Sequence, residues 1–416
     1  MRIPCHRPMI PQKESEIRIS EYNYDLPDEK IAKFPVAERD ESRLLIYRKG
    51  VVSETVFKNL GSQLPSGTTL VFNNTKVIRA RIIMHKSSGA RIEIFCLEPH
   101  EPADYERAIS ATGQCRWQCM VGNLKKWKEG ALISEFEYEG ASYSLSAYLE
   151  HSNQSSQIVR FEWNNPHLTF GQLLEHLGRI PIPPYLGRDS ESSDNVRYQT
   201  VYSKYEGSVA APTAGLHFTP QLLSSLQASN FKREEITLHV GAGTFLPVKT
   251  DDPVMHTMHT EHFEIGLSTI CNLIEALKSG HITAVGTTTV RTLESLPVLG
   301  YRILQTGSPD NDTTIGQWEA YEIPDRMTGI ELLETLSEYM RHNGIDIIKA
   351  STRIMIMPGF RYRMIQSMIT NFHQPCSTLL LLVGAFIGDS WKEIYEYALS
   401  HGFRFLSYGD SSLLIP

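Results

Sequence analysis

The chain has 416 residues, 41% hydrophobic and 21% charged, with a formal net charge of −7. That length allows two or three domains with a core each, and the composition is that of an ordinary globular protein. A negative balance excludes a global attraction for nucleic acid, so any such partner must be met by a local basic patch. The longest apolar run, Leu379 to Ile387, is about half of a membrane span, so no membrane partner is expected. Residues 1–19 carry charges and prolines without an apolar core of signal-peptide length. Residues 1–20 are therefore expected to be a disordered lead-in to a cytoplasmic protein, with a monomer favoured. Six cysteines over this length make no disulfide framework, and Cys115-Arg-Trp-Gln-Cys119 has no second pair at zinc spacing.

In chain order, Asp25 to Lys33 reads as the start of a short helix. Arg43–Tyr47 and Leu70–Phe72 read as strands, the second running into Asn73-Asn-Thr-Lys76. The texture then changes. Val77–Met84, Arg91–Leu97, Trp117–Val121, Leu132–Tyr138, Tyr143–Leu149 and Ile158–Trp163 each alternate apolar and polar residues between Gly, Ser, Asn or Pro turns. Such short strands with no helix between them predict a small all-β, barrel-like domain. It is expected as residues 77–163, inserted into a discontinuous α/β domain made of 21–76 and 164–416.

Phe170, Leu173, Leu174 and Leu177 are spaced for one helix face, with Gly178 as the stop. Thr219-Pro220 caps a helix through Leu226, and Glu235–Val240 is a strand ending in the Gly241/Gly243 loop. Leu267, Ile270, Ile274 and Leu277 mark a helix closed by Gly280. Ile282–Val285 is a strand ending in a Thr287–Thr289 loop, followed by the helix of Arg291. Strand, glycine loop, helix is α/β organisation, with ligand loops expected at the strand ends. Residues 301–343 are turn-rich until an amphipathic helix at Ile330, Leu333, Leu336 and Met340. Arg353–Met357 and Met364–Ile369 read as strands, Leu379–Phe386 and Trp391–Leu399 as helices, and Phe403–Ser407 as the last strand.

Four stretches lack either periodicity and crowd small residues around polar ones: Tyr198–Phe218 with Thr213 and His217, His239–Phe245, Val285–Arg291 and Thr370–His373. A chain does this where its backbone must approach a ligand closely, and four such loops suggest an enzyme. His256, His259 and His262 fall at i, i+3 and i+6, one side of a helix, where the choice is a metal site or polar contacts to substrate. Only Glu261 and Glu264 stand near as further ligands, so no metal is expected. Gly241-Ala-Gly243 lacks the third glycine of a dinucleotide fingerprint, Leu246 standing there. It remains a tight loop presenting N–H groups to an anionic or carbonyl ligand.

Asn371 and His373 at a strand end are a candidate proton-transfer pair, or a cap and packing pair. Arg291 suits a carboxylate or phosphate clamp, or an ordinary salt bridge. Lys125-Lys126-Trp127-Lys128, with Lys76, Arg79 and Arg81 near the entry to the β domain, reads as lysines around an exposed aromatic, which suits an RNA backbone with an unstacked base. The alternative is a solvated charged turn.

Together these strings resemble the S-adenosylmethionine:tRNA ribosyltransferase-isomerases of queuosine biosynthesis. The resemblance runs from Asp25 to Asp410. It is carried by Tyr24-Asp-Leu-Pro, Leu70-Val-Phe-Asn-Asn-Thr-Lys-Val-Ile78, Pro181-Ile-Pro-Pro-Tyr185, Tyr198–Phe218, Leu238–Phe245, His256-Thr-Met-His-Thr-Glu261, Ala284–Ser295, Met357-Pro-Gly-Phe360, Thr370-Asn-Phe-His373 and Phe405-Leu-Ser-Tyr-Gly-Asp410.

The resemblance implies an α/β domain with an inserted β-barrel, and tRNA and S-adenosylmethionine as partners. It implies no cofactor beyond S-adenosylmethionine as co-substrate. The implied reaction moves the ribosyl part of that molecule onto 7-aminomethyl-7-deazaguanine in tRNA, as an epoxycyclopentane, while adenine and methionine leave. Such chemistry needs a base for the hydrogens beside the sulfonium, for which His217, His373 and His239 are candidates. It needs help for departing adenine, from Asn371 or Glu261. It also needs fixed donors, from Thr213, Ala214 and Gly215 or from Gly241, Gly243 and Thr244. Arg291 suits the methionine carboxylate, and His259 and Asp410 are further expected substrate contacts.

The chain departs from the family pattern in three internal places, and about 20 residues precede the match. Gln374-Pro-Cys376-Ser-Thr-Leu379 stands where Leu-Pro-Glu-Ser-Thr-Leu is usual, and His259-Thr-Glu261 where His-Ser-Glu is usual. Residues 296–349 are enlarged, which suggests a lid or anticodon clamp. Two other readings follow: a diverged paralogue that binds RNA or a nucleoside without the full reaction, and a metal-dependent hydrolase on the three histidines.

Overall fold

The computed structural model describes residues 17–152, 156–241, 250–309 and 313–416. Its larger part is built on a ten-stranded mixed sheet. From edge to edge the strands are Thr314–Ile315, Ile347–Thr352, Glu261–Gly266, Lys232–His239, Thr68–Asn73, His281–Val285, Ser367–Asn371, Ser411–Ile415, Arg43–Arg48 and Val51–Val56. The four central strands, Lys232–His239 to Ser367–Asn371, run parallel to one another. All six residues of Thr68–Asn73 are buried. Val71 joins the apolar cluster on one face of the sheet, and Leu70 and Phe72 join that on the other. Burial on both faces is what a central parallel strand requires, and it explains the continuous apolar texture there.

The second part is a curled seven-stranded sheet. Its order is Gly178–Arg179, Arg81–His85, Arg91–Glu101, Gln114–Gly122, Gln157–Trp163, Ala141–Ser152 and Leu132–Tyr138, antiparallel throughout. Strict alternation in Gln157–Trp163 turns Val159 and Phe161 inward, against Trp117 and Leu145. The helix Phe170–Leu177 belongs to the same cluster through Phe170, Leu173 and Leu174. It starts from a capping box between Thr169 and Gln172. The molecule is thus mixed α/β with a curled antiparallel sheet beside a large mixed one.

Several expected elements differ. Asp28–Lys30 is only a 3-10 turn, and a short helix, Tyr105–Ile109, interrupts the antiparallel strands. Thr287–Thr289 are not a loop but the first turn of the helix Thr287–Thr306. The expected strand 353–357 is irregular, and the strand lies just before it, at Ile347–Thr352. Likewise Phe403–Ser407 is not a strand: Leu406 is left-handed (φ 69°), and the last strand is Ser411–Ile415. Ile19–Tyr22 form a 3-10 turn that buries Ile19 and Tyr22, with Tyr22 stacked on Trp391 at 5.3 Å. Within the expected lid segment 296–349, Leu296, Leu299, Leu332, Leu333 and Leu336 are fully buried, so the helices Thr287–Thr306 and Gly329–His342 belong to the core. Among the described residues no helix is long and apolar enough to cross a membrane.

Candidate active site

The four parallel strands end at Asn73, His239, Val285 and Asn371 on one edge of the sheet, where an open α/β sheet places its ligands. A cleft opens there. Its walls are Ala210–Ala214, Gly286–Thr288 with Arg291, Thr370–Leu379, and His256, Met258, His259 and Glu261. Segments far apart in the chain meet because strand ends and the starts of antiparallel strands share one edge.

On one wall, the Asn371 amide is fixed by its surroundings. Nδ2 donates to the carbonyls of Leu406 (2.9 Å) and Ser407 (3.3 Å), so Oδ1 must face His217. The His217 Nε2 therefore carries the proton and donates to Oδ1 at 3.1 Å. Its Nδ1, 2.7 Å from the Ser42 hydroxyl, accepts. His217 is stacked on Phe57 and buried behind Asn371, not on the cleft. His373 does line the cleft. Its Nε2 lies 2.9 Å from the Thr370 hydroxyl, and its backbone N–H donates to the Tyr395 hydroxyl. His239 faces away, stacked on Tyr105 at 4.7 Å in a separate groove. Its strand neighbour Val240 lines the cleft instead. Burial pulls all three imidazoles down to about 4, so each is neutral at neutral pH.

On the opposite wall, Arg291 is ion-paired with Glu261 through Nη1 and Oε2, and both residues are buried. Burial raises the Glu261 carboxyl. The Arg291 guanidinium, then His259 and the Gly241 N–H, more than reverse this and leave it below the usual carboxylate range. His259 Nε2 stands 3.3 Å from Glu261 Oε1 but off the line of a hydrogen bond, and both atoms are left without a partner. Arg291 is thus engaged by the protein through Nη1 and through Nε, which points to the Ile354 carbonyl at 3.3 Å, and only Nη2 is left over. His256, His259 and His262 are not on one helix face. They follow a 3-10 turn into the strand Glu261–Gly266, where His262 points to the other side and bonds Ser351. Among the described residues no three His, Cys, Asp or Glu side chains gather to hold a metal ion.

The remaining expected residues separate. Thr213 and Ala214 line the cleft, whereas the Gly215 N–H is spent on the Pro212 carbonyl (2.8 Å). Gly241 adjoins His259, and Gly243 and Thr244 lie outside the described residues. Asp410 is a buried tie, its carboxylate accepting from the backbone of Arg43 (3.0 Å) and Arg404 (2.9 Å).

Of the basic residues, Lys76 is paired with Glu206 at 2.7 Å and Arg79 with the Glu175 carbonyl. Arg81 is paired with Glu93 at 3.1 Å. Lys125, Lys126 and Lys128 are exposed, but Trp127 is not: it is 1% exposed, with Nε1 donating to Gly130. The stacking role expected of Trp127 is therefore ruled out. Trp127 ends the 3-10 turn Leu124–Lys126 and packs inward, which the lysines on either side hid.

Residues not assigned a role from sequence also line the cleft. Tyr185, whose hydroxyl meets Ser407 Oγ, follows the Pro-rich string. Cys376 is left-handed (φ 53°), with its N–H on the Tyr22 carbonyl and its thiol 3.5 Å from Asn23 Oδ1. A segment held by residues some 350 positions away leaves no local signal.

A sequence profile for a family described as "Queuosine biosynthesis protein" matches residues 19–414. The chain belongs to that family. Among curated members, a protein of Trichlorobacter lovleyi is 35% identical over 402 residues, covering 95% of this chain and 99% of its own. One of Syntrophomonas wolfei is 36% identical over 409 residues, covering 97% and 99%. Both are named S-adenosylmethionine:tRNA ribosyltransferase-isomerase. A crystal structure of S-adenosylmethionine tRNA ribosyltransferase from Thermotoga maritima shares 27% identity, with a TM-score of 0.46, over 95% of this chain and 100% of that one.

Proposed function

We propose that this chain is a transferase-isomerase that moves the ribosyl part of S-adenosylmethionine onto 7-aminomethyl-7-deazaguanine in tRNA, releasing adenine and methionine. One observation carries the reading. Strings scattered from Tyr185 to Ser407 that match the queuosine family come together to line a single cleft at the carboxyl ends of parallel strands.

His373 is the base in this reading. Of the three candidate histidines it alone lines the cleft, and its imidazole is neutral and able to accept a proton. His217 and Asn371 act as positioning residues that hold the Leu406–Ser407 turn against the cleft. Lys125, Lys126 and Lys128 are the phosphate contacts, while Lys76, Arg79 and Arg81 are already engaged.

The test is incubation with S-adenosylmethionine and a tRNA bearing the aminomethyl-deazaguanine. Free adenine, free methionine and a heavier tRNA are expected in equal amounts. Binding of the tRNA with none of these products would leave the chain a nucleoside- or RNA-binding relative instead.

A further inference from the structure

At one end of the cleft three polar atoms are buried without a hydrogen bond: Nη2 of Arg291, and Oε1 of Glu261 and Nε2 of His259, which stand 3.3 Å apart. Buried polar atoms are nearly always satisfied, so orphans in a cleft mark where a ligand's polar groups go. Arg291 and Glu261 neutralise one another through Nη1 and Oε2, yet each keeps one atom over. The spare guanidinium nitrogen is a donor only, and the spare oxygen of an ionised carboxylate is an acceptor only.

Beside them opens the N-terminus of the twenty-residue helix Thr287–Thr306, which no side chain caps. Gly286, Thr287 and Thr288 line the cleft, and the Thr288 hydroxyl is itself without a partner. Uncapped first-turn N–H groups favour an anion. The corner thus offers an anion site and a cation site side by side, on a background of zero net charge. A lone phosphate would face the Glu261 oxygen without compensation. A lone ammonium would face the helix N-terminus. A molecule carrying both charges a few atoms apart matches it.

Resting on the reading above, we propose that this corner binds the α-amino-acid zwitterion of S-adenosylmethionine. Its α-carboxylate lies on Arg291 Nη2 and the first turn of Thr287–Thr306, and its α-ammonium on Glu261 Oε1. Tyr185, Tyr198 and Phe372 are left to the nucleoside. The Arg291–Glu261 pair then sorts sulfonium nucleosides by whether both charges of the amino acid are present.

The test is calorimetric titration of the full chain with S-adenosylmethionine, its decarboxylated analogue and its deaminated analogue. Each missing group is expected to weaken binding about 10- to 100-fold, the worth of one charge-assisted hydrogen bond. Arg291→Lys keeps a positive charge against Glu261 but loses the spare nitrogen, so its discrimination against the decarboxylated analogue should vanish. Glu261→Gln should lose discrimination against the deaminated analogue alone. Melting curves establish that each variant folds, and if neither does, the wild-type series decides. Equal affinity for all three compounds overturns the proposal. A chain that binds none of them and releases no adenine fails the functional reading instead. One that releases adenine while ignoring the missing groups fails only the zwitterion site.

Discussion

Three histidines with the same depressed basicity occupy three different situations, and substitution should separate them. His217→Ala removes a ring stacked on Phe57, leaves Asn371 Oδ1 without its partner and leaves the Ser42 hydroxyl only the Arg39 carbonyl. A loss of about 2–4 kcal/mol in urea unfolding is expected from cavity and orphaned groups together. His373→Asn should leave the unfolding midpoint nearly unchanged and slow adenine release about 100-fold or more, the usual worth of a general base. Equal losses of activity in both, at equal stability, would contradict the assignment.

The same residues predict a pH dependence. Each imidazole falls from 6.5 to about 4 on folding. The unfolded chain therefore binds more protons between those values, and stability is full above about pH 6.5 and drains away as pH falls toward 4. Each histidine contributes on the order of 3 kcal/mol to that slope. Unfolding midpoints at pH 7.5 and 5 check it, with His239→Gln expected to flatten the difference. The sequence named all three histidines because each sits in an aperiodic loop or at a strand end. It did not say which faces the cleft. That is decided by Ser42, 175 positions from His217, and by the strand alternation that turns His239 away from Val240.

At the scale of elements, the strands of the antiparallel sheet were legible because a half-buried strand writes its period of two locally. Arg353–Met357 misled for the opposite reason. Ile354, Met355, Ile356 and Met357 are all buried, but Arg353 and Met355 bond singly to the carbonyls of Ile315 and Gln317, and Met357 to the Tyr321 hydroxyl. An apolar run reports burial, not a ladder. Thr287–Thr289 misled because β-branched residues weaken a helix signal. Here Gly286 (φ 92°) and packing under the sheet start the helix regardless. That helix supplies the anion end of the cleft, and its seat depends on Gly300. A Cβ there would come within 2.0 Å of the Leu332 carbonyl oxygen in the helix Gly329–His342. Gly300→Ala should therefore push the two helices apart, costing about 1–3 kcal/mol by thermal melting. Affinity for S-adenosylmethionine should fall with it, as the Thr287 turn moves. A melting temperature within error of wild type would show that the helices do not meet as closely as this.

For the whole molecule, the net charge of −7 makes any tRNA contact a local matter, and the fold narrows where it lies. Of the six basic residues expected to meet RNA, three are already matched with acceptors of the protein, while Lys125, Lys126 and Lys128 project from one exposed turn. Trp127 between them anchors that turn in the core of the antiparallel sheet. As the proposed phosphate contacts, these three cations have no stacking platform beside them, so they should add affinity but no base preference. Replacing all three with Gln should weaken tRNA binding and lower the slope of log K against log salt by about 2 to 3, near one for each phosphate no longer neutralised. Discrimination between tRNAs with and without the aminomethyl-deazaguanine should persist, since that choice belongs to the cleft. Lys76→Gln, which breaks a pair with Glu206 instead, should leave the slope where it was. An unchanged slope in the triple variant would move the tRNA to another face of the molecule and leave the chemistry of the cleft untouched.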